Sequence, residues 1–333
     1  MLTETAILER TRAVFPELEK AEISISPVGE GGSDRVYWRI ESESPSRSLI
    51  FMEYTDARPD NALFVPVSSF LEKNGIAAPR VYSWVEDERL VWLEDLGNNE
   101  LWNLRNEPWE TLRPAYEAAL TEVSKLHNIN ESELAKYDPP ELSPAFDADL
   151  YRWEHDYFFD QFATRFAAMN GATRAAMEYD LGEMIDGLLR RPRSLIHRDF
   201  QSQNILIRSG EAVLIDYQGM RLGLPEYDVA SLVFDPYVEL KADQRSDLLN
   251  FYHEHRDIDE SFKEWATFVD HCAAQRLMQA LGAYGYIGQV MGKTAFFRHI
   301  PPAMKTLDEA LARADLLPGV REILAKAEAP EVP

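Results

Sequence analysis

The chain has 333 residues, of which 45% are hydrophobic and 27% charged, enough for a large core or two lobes and typical of a folded globular protein. A net charge of −23 works against partners that present rows of phosphates, so neither nucleic acid nor an anionic membrane surface is expected. The single cysteine, Cys272, excludes an internal disulfide and a cysteine-based metal site, and a reducing cytoplasm is the expected compartment.

Thr3 to Phe15 reads as an amphipathic helix ending near Pro16. It lacks the basic start and apolar run of a signal peptide, and no stretch reaches 18 apolar residues. Three strands are predicted next, Ile23 to Val28, Arg35 to Glu41 and Ser48 to Tyr54, with SESPSR as the turn between the last two. They carry β-branched and aromatic residues between turn signals. A helix follows from about Asn61 to Lys73, closed by Asn74-Gly75, and then two more strands, PRVYSWV and RLVWLEDL. From Pro108 the pattern is helical: Pro108 to His127, Asp147 to Ala168, and Arg174 to Leu189. Short strands at Ile205 to Arg208 and Ala212 to Asp216 interrupt it, and helices resume from about Tyr227, Ala242, Asp259 and Met304. GQVMGKT (Gly288 to Thr294) ends like a phosphate-binding loop, but Ile287 stands where its first glycine belongs, so it reads as a helix end.

The chemistry concentrates in HRDFQSQNILIRSGEAVLID, His197 to Asp216. Phosphoryl transfer needs a carboxylate beside the attacking hydroxyl and hard oxygen ligands for magnesium. His197, Arg198, Asp199 and Asn204 fit H-R-D-x-x-x-x-N at every fixed position, and a short apolar strand then ends in Asp216. Asp199 is the expected base; its plainer reading is a loop carboxylate capping an amide. Asn204, through its amide oxygen, and Asp216 are the expected metal ligands, against plainer readings as turn residues. His197 is expected to brace the loop. Gly29, Gly31, Gly32 and Ser33 lie in a turn between two strands whose N–H groups can meet phosphates, although a hairpin wants glycine anyway. The third strand should carry a lysine for those phosphates, but Met52 occupies that position and is the expected nucleotide contact there. Lys73 is late in its helix, which leaves Arg35 or Arg58 as possible sources of charge. Glu94, Asp95 and Leu96 are expected to meet adenine through backbone groups.

These segments resemble the aminoglycoside phosphotransferase / choline kinase superfamily, a branch of the protein-kinase-like fold. Within it the chain is most similar to the anomeric kinases of N-acetylmuramate and N-acetylglucosamine in cell-wall recycling. LIFME, FVPVSSFLEKNGIAAPRVYSW, LEDLG, HRDFQSQNILI and IDYQGMRLGLPEYDVASL carry the likeness. Those kinases likewise place Met where lysine is usual. The resemblance implies an α+β bilobal fold: a five-stranded antiparallel lobe with one helix over residues 1–96, and a mostly helical lobe over 97–333. It implies ATP and Mg2+, with Asp199 as base, Asn204 and Asp216 as metal ligands, and Asp228 in a structural role. A small amino sugar is the expected partner, and no protein partner is evident. Glu154 and Tyr157, three apart on one helix, are candidates for the sugar with Gln201, although a core helix reads the same way. Two alternatives stay open: a cationic acceptor such as an aminoglycoside or choline, toward which the bulk charge leans, and a nucleotide-binding pseudokinase.

Overall fold

The computed structural model describes residues 2–29 and 35–329. Helix α1 (Glu4–Val14) starts at Thr3, whose hydroxyl accepts the Ala6 N–H. Strands β1 (Ile23–Pro27), β2 (Val36–Glu43), β3 (Ser46–Glu53), β4 (Val81–Val85) and β5 (Leu90–Glu94) form an antiparallel sheet in the order β1-β2-β3-β5-β4. Pairing of β2 with β3 runs to Glu43 and Ser46, so the expected six-residue turn shrinks to its two central residues. Side chains alternate across a pleated strand. Phe51 and its partner Trp92 therefore face α1, where they pack with Ile7, Phe15 and Leu18. Met52 and Val91 face the other way, toward Val67 and Leu71 of α2 (Phe64–Lys73). A short 3-10 turn, Pro59–Leu63, takes the start of the expected helix.

The rest of the chain is mostly helical: α3 (Trp109–His127), α4 (Ala148–Phe158), α5 (Thr164–Phe166), α6 (Gly171–Ala175), α7 (Glu178–Leu189), α8 (Pro225–Val233), α9 (Ala242–His255), α10 (Phe262–Gly285), α11 (Ile300–Ala314) and α12 (Pro318–Lys326). A π turn, Phe159–Ala163, joins α4 to α5. The predicted helix from Arg174 is broken into α6 and α7. Two strand pairs carry the motif: β6 (Ser194–Ile196) with β9 (Arg221–Gly223), and β7 (Ile205–Arg208) with β8 (Glu211–Leu214). Patterning missed β6, β9 and α12, because three-residue strands and a nine-residue helix hold little periodicity.

Helix α10 runs through the core, with Trp265, Val269, Cys272, Leu277 and Leu281 buried. It lies against α4 and the π turn at glycines. A Cβ at Gly282 would stand 2.9 Å from the Tyr157 carbonyl oxygen, and one at Gly285 would strike the Gln161 carbonyl. GQVMGKT continues α10 as a π turn (Tyr286–Val290) that ends at Gly292, φ +72°, so it is a helix end. Among the described residues no helix is long and apolar enough to cross a membrane.

Candidate active site

The HRD segment leaves β6 and is clamped from below by Asp228 on α8. The Asp228 carboxylate is fully buried and accepts the backbone N–H of His197 at 2.6 Å and of Arg198 at 2.9 Å. His127 of α3 meets the same carboxylate at 3.0 Å through Nε2, and its Nδ1 lies 2.6 Å from the Tyr252 hydroxyl. His197 is also buried, and its Nε2 lies 3.0 Å from the Ile215 carbonyl oxygen. Arg198 takes φ +79°, a left-handed conformation that is costly for a non-glycine residue. The two N–H bonds to Asp228 anchor the chain as it enters that bend.

The bend aims two cations at Asp199. Arg198 Nη1 donates to Asp199 Oδ2 at 2.5 Å, and Arg276 of α10 stands 3.8 Å from Oδ1. Burial alone would push the Asp199 carboxyl up, but the charges of Arg198 and Arg276 outweigh it and hold the group at about 2. A quarter of the Asp199 side chain still meets solvent. A third arginine stands near Asp199 despite the acidic chain. Arg221, nearly buried, is lowered first by burial and then by the nearby Arg198 charge. Burial pushes Glu154 and Asp235 the other way, toward their neutral forms.

Asn204 and Asp216 are brought to the same place by the β7–β8 hairpin. The Asn204 side-chain amide donates to the Asp199 carbonyl at 2.8 Å, which leaves its Oδ1 as the acceptor end, and the Asn204 carbonyl accepts the Ile215 N–H at 3.0 Å. Asp216, φ +62°, is a third exposed. Its Oδ1 pairs with Arg35 and lies 3.3 Å from Gln218 Nε2. Among the described residues no cluster of three His, Cys, Asp or Glu side chains suits a metal. One amide oxygen and one carboxylate do suit magnesium, which takes hard oxygen ligands and commonly draws the rest from phosphate and water. The donor set fits that ion.

The other predicted positions divide. Gly29 has φ +67°, whereas Gly31, Gly32 and Ser33 lie outside the described residues. Met52 was expected at the nucleotide, but it is fully buried in the core, since its strand register turns it toward α2. Glu94 pairs with Arg208 at 2.6 Å and, with Leu96, lines a groove closed by Ala77, Ala78 and Val213. Asp95 turns to Arg39 at 2.7 Å. Gln201 does reach the site, accepting from Arg276 at 3.2 Å.

Glu154 and Tyr157 do not present one face to a ligand. Glu154 is wholly buried, accepting from Tyr227 at 3.1 Å and from Gln275 at 2.9 Å. Tyr157 is half-buried and stacks on Trp153, with ring centroids 5.2 Å apart, beside Tyr286. A three-residue step on a helix leaves about 60° between side chains, enough to put one in the core and one at its edge. Arg58 lies close enough to Tyr157 for its charge to act on that phenol. Sequence reasoning did not find Arg276 or Arg221. Neither stands in a spaced motif, and only the packing of α10 and β9 around the loop makes them part of it.

The chain matches the family model described as "Phosphotransferase enzyme family" over residues 24–265. It is 24% identical over 327 residues to the N-acetylmuramate/N-acetylglucosamine kinase of Pseudomonas aeruginosa, covering 93% of each chain. It is 26% identical over 320 residues to the protein of the same name from Neisseria meningitidis serogroup B, covering 92% of this chain and 91% of that one. Among solved structures, the GDP complex of an aminoglycoside 2'-phosphotransferase-IIIa mutant superposes with a TM-score of 0.63 at 14% identity, covering 93% of this chain and 98% of that one. The fold is therefore protein-kinase-like. With the match spanning most of the sequence, the chain belongs to the phosphotransferase enzyme family and is an ATP-dependent kinase.

Proposed function

We propose that this kinase transfers the γ-phosphoryl group of ATP to the anomeric C1 hydroxyl of an N-acetylated amino sugar, N-acetylmuramate, N-acetylglucosamine or both. The choice of sugar rests on the relatives that align along nearly the whole chain, which are named as kinases of those two sugars. Transfer is direct and in line. Asp199 accepts the hydroxyl proton, and its two arginines keep it ionised for that task. Asn204 and Asp216 hold magnesium, which when bound offsets phosphate charge. The glycine turn (Gly29, Gly31, Gly32, Ser33) covers the phosphates, and the Glu94–Leu96 segment meets adenine through its backbone. Gln201 and Tyr157 contact the sugar, while Glu154 supports the loop from beneath. In this reading residues 1–96 form the nucleotide lobe and 97–333 the lobe with the catalytic loop.

The arginines around Asp199 also bear on the rival acceptors. A cationic aminoglycoside or choline would meet Arg198, Arg276 and Arg221 close to its hydroxyl, and like charges that close are costly. A neutral or anionic sugar meets no such penalty. The test is ADP release with N-acetylmuramate, N-acetylglucosamine, N-acetylgalactosamine, glucosamine, kanamycin and choline, and with the 1-O-methyl forms of the sugars. Turnover should appear with N-acetylated sugars and vanish when C1 is methylated. Turnover of the methyl glycosides would refute attack by C1, and turnover confined to kanamycin or choline would refute the acceptor.

A further inference from the structure

Arg35 lies at the start of β2 with its side chain only 5% exposed. Its guanidinium reaches across the molecule. One nitrogen donates to Asp216, 181 residues away in sequence, and another donates to Gln218 Oε1 at 2.7 Å. Gln218 Nε2 in turn lies 3.3 Å from the same Asp216 oxygen, so the three groups close a triangle. A guanidinium withdrawn from water is tolerated only where its charge is met and its N–H groups are used. Here the charge is met and both terminal nitrogens donate, one of them to a carboxylate that is itself a third exposed.

The third strand brings no cation to that place. Met52 is sealed in the core, and Lys73 of α2 is 61% exposed and paired with Asp138. Arg35, by contrast, already touches the expected metal ligand.

We propose that Arg35 is the phosphate-binding cation of this kinase, replacing the absent third-strand lysine, and that Asp216 and Gln218 hold it ready until nucleotide enters. With a metal–nucleotide complex bound, Asp216 would hold the metal and Arg35 would meet phosphate oxygens. Each charge would keep an opposite partner in both states. The planar fork of N–H donors that spans Asp216 and Gln218 suits two phosphate oxygens equally well. The proposal rests on the nucleotide side of the reading above and not on the identity of the sugar.

The test is calorimetric binding of ADP to the full chain in EDTA, repeated with magnesium, with no acceptor present. Arg35→Met should weaken metal-free ADP about tenfold or more, the scale of a lost charge-assisted contact. Arg35→Lys, which keeps the charge but not the fork, should weaken metal-free ADP less than Arg35→Met does. Gln218→Leu removes a resting contact and should leave metal-free ADP affinity unchanged or tighter. If Arg35→Met does not fold, Arg35→Gln makes the same comparison. An uncharged Arg35 variant that binds metal-free ADP as tightly as the unaltered protein would overturn the proposal. A loss with Gln218→Leu as large as with Arg35→Met would also overturn it, because the triangle would then be only a brace. These arms need no turnover, so their failure is separate from failure of the acceptor panel.

Discussion

Asp228 accepts the backbone N–H of Arg198 at 2.9 Å, and Arg198, turned through φ +79°, donates to Asp199 at 2.5 Å. A buried carboxylate on α8 thus fixes the backbone that delivers the counterion of the proposed base. Asp228→Ala would leave two buried N–H groups and His127 without that acceptor. We expect a loss of stability of about 3 kcal/mol or more, because breaking one side of a buried polar network leaves the other groups unpaired. Denaturant unfolding measures it, and turnover should fall in the same variant even where it remains folded.

Asp199→Ala should lower kcat by roughly 10²–10⁴-fold, the usual share of a positioned acid or base. ADP affinity should change little. The pH behaviour is a second check. The folded-state value of about 2 lies below the ordinary 3.8. The stabilising contribution of Asp199 is therefore present above 3.8 and is lost only as pH falls toward 2. Between pH 5 and 9 this group stays ionised, so an acid limb of kcat/KM in that window would have to come from elsewhere. A limb abolished by Asp199→Asn would contradict the assignment.

Asp216→Ala should raise the magnesium concentration needed for half-maximal ATP-analogue binding by about tenfold or more. An unchanged magnesium titration would remove Asp216 from the metal site.

Glu154→Gln separates support from contact. Burial raises the folded-state pKa of Glu154 above the ordinary 4.5. Its contribution to stability is thus present below 4.5 and is lost as pH rises through the folded-state value. The glutamine variant should lose this dependence and lose less stability than the parent between pH 5 and 8. The KM for sugar should move less than about twofold, since a wholly buried side chain adds no direct contact. A large rise in KM with unchanged stability would place Glu154 against the substrate.

Met52→Ala should cost about 2–5 kcal/mol of folding stability, as for other fully buried methionines. Urea unfolding tests this. Unchanged stability with a sharp loss of ADP affinity would mean that Met52 touches nucleotide after all.

The lines of the fold and the motif could be read in the sequence because they are local. Strand alternation named β1 to β5 within a few residues, and fixed spacing put Asp199, Asn204 and Asp216 on one segment that the hairpin then closes. What stayed hidden is what three-dimensional packing decides. Met52 looked like a cleft residue by position, yet it is sealed against α2. Glu154 and Tyr157 looked like neighbours, yet the core takes one and leaves the other at its margin. Arg276 carried no signal at all, being a lone arginine on a long helix until α10 lies beside the loop.

The bare stretch of α10 at Gly282 and Gly285 has one more result. With no side chain between them, main chain rests on main chain, so α10 has almost no freedom to slide along α4. Arg276 rides on the same rigid rod, and Tyr157 and Trp153 ride on its neighbour. The separation between the charge beside Asp199 and the aromatic ledge is therefore set like a ruler marking. A methyl group added at Gly282 would shift that marking, and with it the proposed place of Tyr157 beside the acceptor.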